Sequence, residues 1–318
     1  MKNTQEKQKI IILTGPTASG KTSLSLKIAQ RFPLEIVNAD SRQMWKPLTI
    51  GTAKPDLSST KIKHHLFDVF EKPEELTVVK YRELVLDTMG SIKKNDKIPL
   101  LVGGSMFYIK SLLFPPNPLG REISYEAKQK IEQIAPESRW QLLKTVDEKR
   151  ADKLHKNDIY RVDRALGIWF THGIKPSECE PKLDTQFDTF VIGIKPKLDV
   201  LRQRIHKRLL EMFGNSGDKN PWVEEVKSLL GTEWEPFFVK NGIIGYEEIA
   251  NWLKKGALKD EKSELVEDIY KKTVEYARRQ LCFWRSFKEA MQFCGVPMLE
   301  VESHGDKETA LHLSKFLA

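Results

Sequence analysis

The chain has 318 residues, 40% of them hydrophobic, with 52 lysines and arginines against 44 acidic residues and a formal net charge of +8. That length fits one large domain or two moderate ones at ~100–200 residues each, and the ordinary balance excludes collagenous, low-complexity and disordered classes. No apolar run approaches the ~18–20 residues of a membrane span, and the moderate positive charge permits a polyanionic partner without requiring one.

The polar, lysine-bearing start Met1–Lys9 passes directly into a strand-like run with no secretory signal, so the expected location is cytoplasmic. Ile10 to Leu13 within Lys9–Thr14 form the first short apolar run. Leu34–Val37, Ile98–Val102 and Phe190–Ile194 are three more, and His64–Val69 is also strand-like. Between them, Val78, Val85, Met89 and Ile92 recur at helical spacing. Strands alternating with helices predict an α/β fold with a parallel sheet flanked by crossover helices. Phe114-Pro-Pro-Asn-Pro breaks both periodicities, and from about Glu122 to His172 the pattern is wholly helical. The expected organisation is a core over 1–118, a helical insertion over 119–187, and the rest of the core over 188–318. After Lys197 the chain reads as mostly helical, with one long helix over Ser263–Met291. Cys179, Cys282 and Cys294 form no C-x-x-C pair, which argues against disulfides and a zinc site and for reduced structural thiols.

The segment Gly15, Pro16, Thr17, Ala18, Ser19, Gly20, Lys21, Thr22 fits G-x-x-x-x-G-K-[ST], between a strand-like run and a helix-like one. Such a loop turns backbone N–H groups toward phosphate oxygens. Lys21 adds a point charge, the helix N-terminus a partial one, and the Thr22 hydroxyl a ligand for Mg²⁺. The motif predicts a bound di- or triphosphate, without saying which. Asp40 follows the second apolar run, and ligands in parallel sheets bind beyond the carboxyl ends of strands. It is therefore a candidate general base or metal ligand, and equally a helix N-cap. The third run ends in Gly103-Gly104-Ser105 with no acid, which weakens an ordinary NTPase reading. His64 and His65 are neighbours on a strand and point to opposite faces, which favours structural histidines over a metal site. Lys271, Arg278 and Arg285 are spaced by seven, on one helix face; this is an RNA-facing row or a solvated face.

In order along the chain, Gly15–Thr22, Asn38-Ala-Asp-Ser41 with Gln43, Ile50–Pro55, His64-His-Leu66, Leu101–Ser105, Phe107–Leu113, His155–Asp158 with Arg161 and Arg164, Ile244-Gly-Tyr246 and Tyr276–Leu281 with Trp284-Arg285 resemble the tRNA dimethylallyltransferase family. The resemblance implies transfer of a dimethylallyl group from dimethylallyl diphosphate to N6 of the adenosine 3′-adjacent to the anticodon, with Mg²⁺ and with diphosphate as the leaving group. It implies Asp40, Ser105 and Arg208 as catalytic residues, with Asp40 as the base, Ser105 facing the bridging oxygen and Arg208 at the diphosphate. It also implies tRNA contacts from Asp40, Ser41, Arg42, Gln43, the stretch Tyr160, Arg161, Val162, Asp163, Arg164, and the row Lys271, Arg278, Arg285. The helical insertion would help grip the anticodon stem-loop, and nothing in the sequence demands more than a monomer. Tyr246 and Trp284 are candidates for base stacking, or for the core. The family usually carries Met and Tyr in place of Arg42 and Trp45, Thr in place of Ser105, Gly in place of Met106 and Pro in place of Lys156. The alternatives are a P-loop kinase or NTPase, and an isopentenyltransferase acting on free adenine nucleotides.

Overall fold

The run over Lys9–Thr14 forms strand β1, Gln8–Thr14, and Ile10 to Leu13 are fully buried. Burial on both faces is what a parallel sheet covered by helices requires of its inner strands. The computed structural model describes residues 7–115, 122–214, 220–302 and 306–318. In it the other predicted runs become β2 (Leu34–Asn38), β4 (Ile98–Gly103) and β5 (Phe187–Ile194), with β3 (His64–His65) and β6 (Met298–Val301) at the edges. The strand order is β3-β2-β4-β1-β5-β6 and every pairing is parallel.

Both edges depart from the sequence expectation. The stretch His64–Val69 pairs only over its first two residues, because Leu66 and Asp68 adopt left-handed backbone with φ of 63° and 54°. Bulky residues rarely sit there, and the strand ends. β6 was hidden in a region read as helical; it is four residues long and pairs with the end of β5.

One sheet face packs Ile11, Leu13, Phe190 and Ile192 with Leu24 and Ile28 of α1 (Lys21–Ala29) and Leu313 of the last helix. The α2 helix (Val78–Lys94) buries Tyr81, Val85, Met89 and Ile92, the predicted spacing, and the Thr77 side chain caps it by accepting the Lys80 N–H. α3 spans Met106–Leu113. The predicted long helix runs from Lys262 to Phe293 and buries Ile269, Ala277, Gln280, Trp284 and Phe287 along one side.

The chain divides into two compact units, one being Ser111–Asp184 and the other the remainder. The smaller unit holds α4 (Tyr125–Glu132), α5 (Pro136–Val146), α6 (Glu148–Ala151) and α7 (Ile159–His172), around Ile131, Leu143, Leu154, Val162 and Leu166. The limits differ from 119–187. The expected opening at 119, like the break over Pro116–Pro118, lies outside the described residues, and the unit already includes Ser111. At the far end Phe187 pairs with Gln8 in the sheet and so belongs to the core. The segment 215–219 also lies outside the described residues; it falls within Gly214–Pro221, which the family resemblance marks as a small insertion before Val223.

The larger unit continues with α8 (Leu198–Phe213), α9 (Pro221–Leu229), α10 (Trp234–Lys240), α11 (Tyr246–Lys254), α12 (Lys262–Phe293) and α13 (Asp306–Leu317). Of the cysteines only Cys179 is buried; Cys282 is exposed and Cys294 half-buried, so a structural reading fits the first alone. Among the described residues no helix is long and apolar enough to cross a membrane.

Candidate active site

The loop after β1 folds as its motif demands. Ala18 and Gly20 have left-handed backbone, φ 59° and 97°, which turns N–H groups to one side as an anion nest. Gly20 then caps α1, whose N-terminus points at the same space. The Lys21 ammonium donates to the carbonyls of Gly15 at 2.9 Å and Pro16 at 2.7 Å. Desolvation in the loop lowers its pKa from near 10.5 to about 8; the Asp40 charge opposes that shift, and Arg208 adds to it. The Ser19 hydroxyl is buried without a hydrogen-bond partner. Thr22 is exposed at the mouth, and no hydrogen bond to its hydroxyl is present among the described residues.

The second and fourth strands position Asp40 and Ser105. Asn38, at the end of β2, accepts the Asp40 N–H at 2.8 Å and donates to the Asp40 carbonyl at 3.0 Å. The half-buried Asp40 carboxylate accepts the Arg42 N–H at 3.1 Å, so it is also the N-cap of the 3₁₀ turn Ser41–Met44. The N-cap reading of Asp40 therefore holds, and its carboxylate also lines the cavity. A Cβ on Gly103 would fall 2.0 Å from the Ala39 carbonyl oxygen, so only glycine lets β4 end this close to β2. The closeness brings Ser105 beside Ser41: the Ser41 N–H donates to Ser105 Oγ at 3.1 Å, and the two hydroxyls are 3.4 Å apart.

α8 carries two arginines one turn apart above the phosphate loop. Arg208 donates to Thr17 Oγ1 and to the Ala53 carbonyl, both at 3.4 Å. Burial pulls its pKa below the usual arginine value, opposed by the charges of Asp40 and Glu211. Arg204, which sequence reasoning did not single out, donates to the Ser19 carbonyl at 3.2 Å. Its signal was the i, i+4 spacing to Arg208. Around these groups lie two connected lobes. One, about 420 Å³, follows the phosphate loop; the other, about 270 Å³, has apolar walls from Ile205, Leu209, Met212, Trp222 and Ile243, with Tyr276 opposite. Thr17, Ala18, Asp40, Thr52, Ala53 and Arg208 belong to both, so Asp40 and Arg208 stand at the junction. Such a shape suits a molecule that is anionic at one end and apolar at the other.

Several predicted contacts are already engaged within the protein. Gln43 donates its amide to the carbonyls of Thr52 and Ala53, at 3.0 and 3.1 Å, and so ties the site's loops together. Arg42 donates to the Asn241 carbonyl at 2.8 Å and lies 6.0 Å over the Trp45 ring, so two of the departures from the family pattern form one stacked pair. Lys54 is buried and paired with Asp68. His65 bonds Glu35 at 2.7 Å and His64 bonds the Ile62 carbonyl at 2.8 Å. Among the described residues no group of three His, Cys, Asp or Glu could hold a metal. Tyr246 and Trp284 are core residues: the Tyr246 hydroxyl donates to Glu225 at 2.5 Å and the Trp284 indole donates to Glu300 at 2.9 Å.

Lys271, Arg278 and Arg285 are all exposed on one side of α12, as spaced. Lys271 is 3.5 Å from Glu267, which offsets part of its charge. In the smaller unit, Tyr160 and Arg161 face solvent and Arg164 is exposed at the next turn. Arg161 pairs with Asp158 at 3.2 Å. Within this stretch Val162 turns into the unit's core, and the half-buried Asp163 pairs with Arg139 at 2.7 Å, so helical periodicity leaves Tyr160, Arg161 and Arg164 as its exposed side chains.

Phosphate loop, junction carboxylate and parallel sheet together define a protein of the P-loop class with an acid beside its phosphate loop. The chain belongs to the IPP transferase family, whose model matches residues 43–287. That match starts beyond the phosphate loop and Asp40, so their placement rests on the geometry above. The chain is 37% identical over 286 residues to a tRNA dimethylallyltransferase of Pseudothermotoga lettingae, covering 89% of this chain and 88% of that one. It is 34% identical over 286 residues to one of Geobacter sulfurreducens, covering 88% and 89%. A eukaryotic dimethylallyltransferase solved acting on tRNA superposes with a TM-score of 0.77 at 26% identity, over 97% of this chain and 77% of that one. A tRNA isopentenylpyrophosphate transferase of Staphylococcus epidermidis gives 0.62 at 26% identity, over 98% and 99%.

Proposed function

We propose that this protein transfers the dimethylallyl group of dimethylallyl diphosphate to N6 of the adenosine 3′-adjacent to the anticodon of tRNA, releasing diphosphate. The observation that carries the reading is the position of Asp40 and Arg208, where the phosphate lobe meets the apolar-walled lobe. The diphosphate end of the donor would lie on the loop, under Lys21 and Arg208. Its allylic chain would reach into the junction.

An exocyclic adenine amine is a weak nucleophile, because its lone pair is delocalised into the ring. As N6 bonds to the allylic carbon, the carbon–oxygen bond breaks and diphosphate leaves with the electron pair. The N6 proton passes to the Asp40 carboxylate, help worth typically ~10²–10⁴-fold. Negative charge grows on the bridging oxygen, where Lys21, Arg208 and the Ser105 hydroxyl stabilise it. The target base must leave its stack to reach the cavity. The exposed cations of α12 and of Tyr160–Arg164 suit a phosphate backbone.

The donor set fits Mg²⁺. The exposed Thr22 hydroxyl would be one oxygen ligand, and Mg²⁺ is commonly held by one or two protein oxygens plus phosphates and water. Bound there, Mg²⁺ would supply charge neutralisation on the diphosphate. The protein would act in the cytoplasm as a monomer.

The family match and the tRNA-named relatives favour this reading over a P-loop kinase or NTPase and over transfer to free adenine nucleotides. Labelled dimethylallyl diphosphate offered with a tRNA anticodon stem-loop, with AMP, and with ATP alone separates the three. Label should enter the stem-loop only. Label in AMP, or ATP turnover without transfer, would overturn the proposal.

A further inference from the structure

Gln280 lies on the inner side of α12, is 6% exposed, and packs against the phosphate loop. Its side-chain oxygen accepts the Thr17 N–H of the phosphate loop at 2.8 Å. Its amide nitrogen donates to the Gly104 carbonyl at 3.1 Å. One side chain thus joins the loop that follows β1 to the loop that follows β4. The first holds the phosphate nest, and the second carries Ser105.

The contact is tight from all sides. A Cβ on Gly104 would fall 2.4 Å from Gln280 Nε2 and 3.2 Å from the Gly15 carbonyl oxygen. Gly15, Gly104 and Gln280 therefore meet with no room for a side chain. A carboxamide presents an acceptor and a donor side by side without a change of protonation. A methionine matches its length and makes neither bond. An asparagine is one methylene shorter.

We infer that Gln280 is a positioning residue: it fixes the separation between the phosphate loop and Ser105, and so aims the Ser105 hydroxyl at the oxygen that leaves with diphosphate. This rests on the transfer reaction proposed above. Groups that act on one transition state lose ~10²-fold when displaced by ~1 Å, so a residue that touches neither substrate can control kcat. α12 also presents Arg278 and Arg285 on its outer side, so RNA affinity provides an internal control.

The test compares wild type with Gln280→Met, which keeps bulk and removes both hydrogen bonds, and with Gly104→Ala, which pushes the amide away. Steady-state kinetics with dimethylallyl diphosphate and unmodified tRNA should show kcat lowered ~10–100-fold and KM for tRNA within ~twofold. Titration with inorganic diphosphate and Mg²⁺ should show ~tenfold weaker binding. The double variant should lose little more than either single one, because both break the same contact. Wild-type kcat in Gln280→Met, or strictly additive losses, would overturn the inference. Should Gln280→Met fail to fold, unchanged kcat in Gly104→Ala would overturn it alone, and a fall in kcat with tRNA KM intact would support it. Should wild type transfer no prenyl group, the donor reading falls instead. The diphosphate titration then decides Gln280 by itself, weaker binding supporting the clamp and equal binding overturning it.

Discussion

Asn38 grips the backbone of Asp40 from both sides, accepting its N–H at 2.8 Å and donating to its carbonyl at 3.0 Å. The same amide donates to the Leu66 carbonyl at 3.0 Å, so Asp40 is referenced to the β3 edge as well as to its own strand. A general base must be held where the proton departs, and this arrangement does so without using the carboxylate. Asp40→Asn keeps an oxygen to cap Arg42 and removes the charge. It should lower single-turnover transfer ~10²–10⁴-fold while leaving diphosphate binding and the melting temperature near wild type. Transfer within tenfold of wild type would remove Asp40 as the base.

Lys21 sets a pH dependence whose sign is fixed. Burial lowers its pKa to about 8, so the folded, empty protein releases a proton that the unfolded chain keeps up to about 10.5. Its contribution to stability therefore rises with pH between those values, and below about 8 the full cost of a desolvated charge applies. A bound diphosphate supplies the missing partner and restores the proton. Diphosphate affinity should accordingly fall as pH rises beyond about 8, with proton uptake on binding. Calorimetry in buffers of different ionisation enthalpy reads that uptake. Lys21→Met should abolish it, and its absence from wild type would contradict the account.

Arg208 spans Thr17 Oγ1 and the Ala53 carbonyl with two nitrogens of one guanidinium. A lysine places one charge and cannot span the pair. Arg208→Lys should lower kcat/KM for the donor by ~10–100-fold, with tRNA binding unchanged. A loss confined to tRNA affinity would move Arg208 from the donor to the acceptor side.

The exposed row on α12 is read by salt. Arg278→Glu with Arg285→Glu should weaken tRNA binding at low ionic strength and flatten the slope of log K against log salt by ~1–2, so that the difference from wild type narrows as salt rises. Filter binding across a salt series measures both. Equal slopes would return the row to a solvated helix face.

What the sequence made legible was local. Gly15–Thr22 is contiguous, and its strand, loop and helix follow one another, so the motif and its fold could be read together. Asp40 could be placed because a parallel sheet sends strand ends to one edge. Gln280 carries no local signal of its role, because its partners Thr17 and Gly104 lie 263 and 176 residues away. Glu225 escaped notice for the same reason, although its carboxylate accepts the N–H groups of Thr49, Ile50 and Gly51 and fixes the loop that Arg208 touches. Val162 sits in an otherwise exposed stretch, and the helix turns it into the core. Lys54 shows the same limit, since the pairing that buries its ammonium is with Asp68 in another loop.

The most direct measurement is mass spectrometry of nucleosides from unmodified tRNA incubated with the protein, dimethylallyl diphosphate and Mg²⁺. The account predicts one adenosine per tRNA, next to the anticodon, heavier by a five-carbon unit, with one inorganic diphosphate released for each. Unchanged adenosine beside an intact donor, in a preparation that binds both substrates, would contradict it.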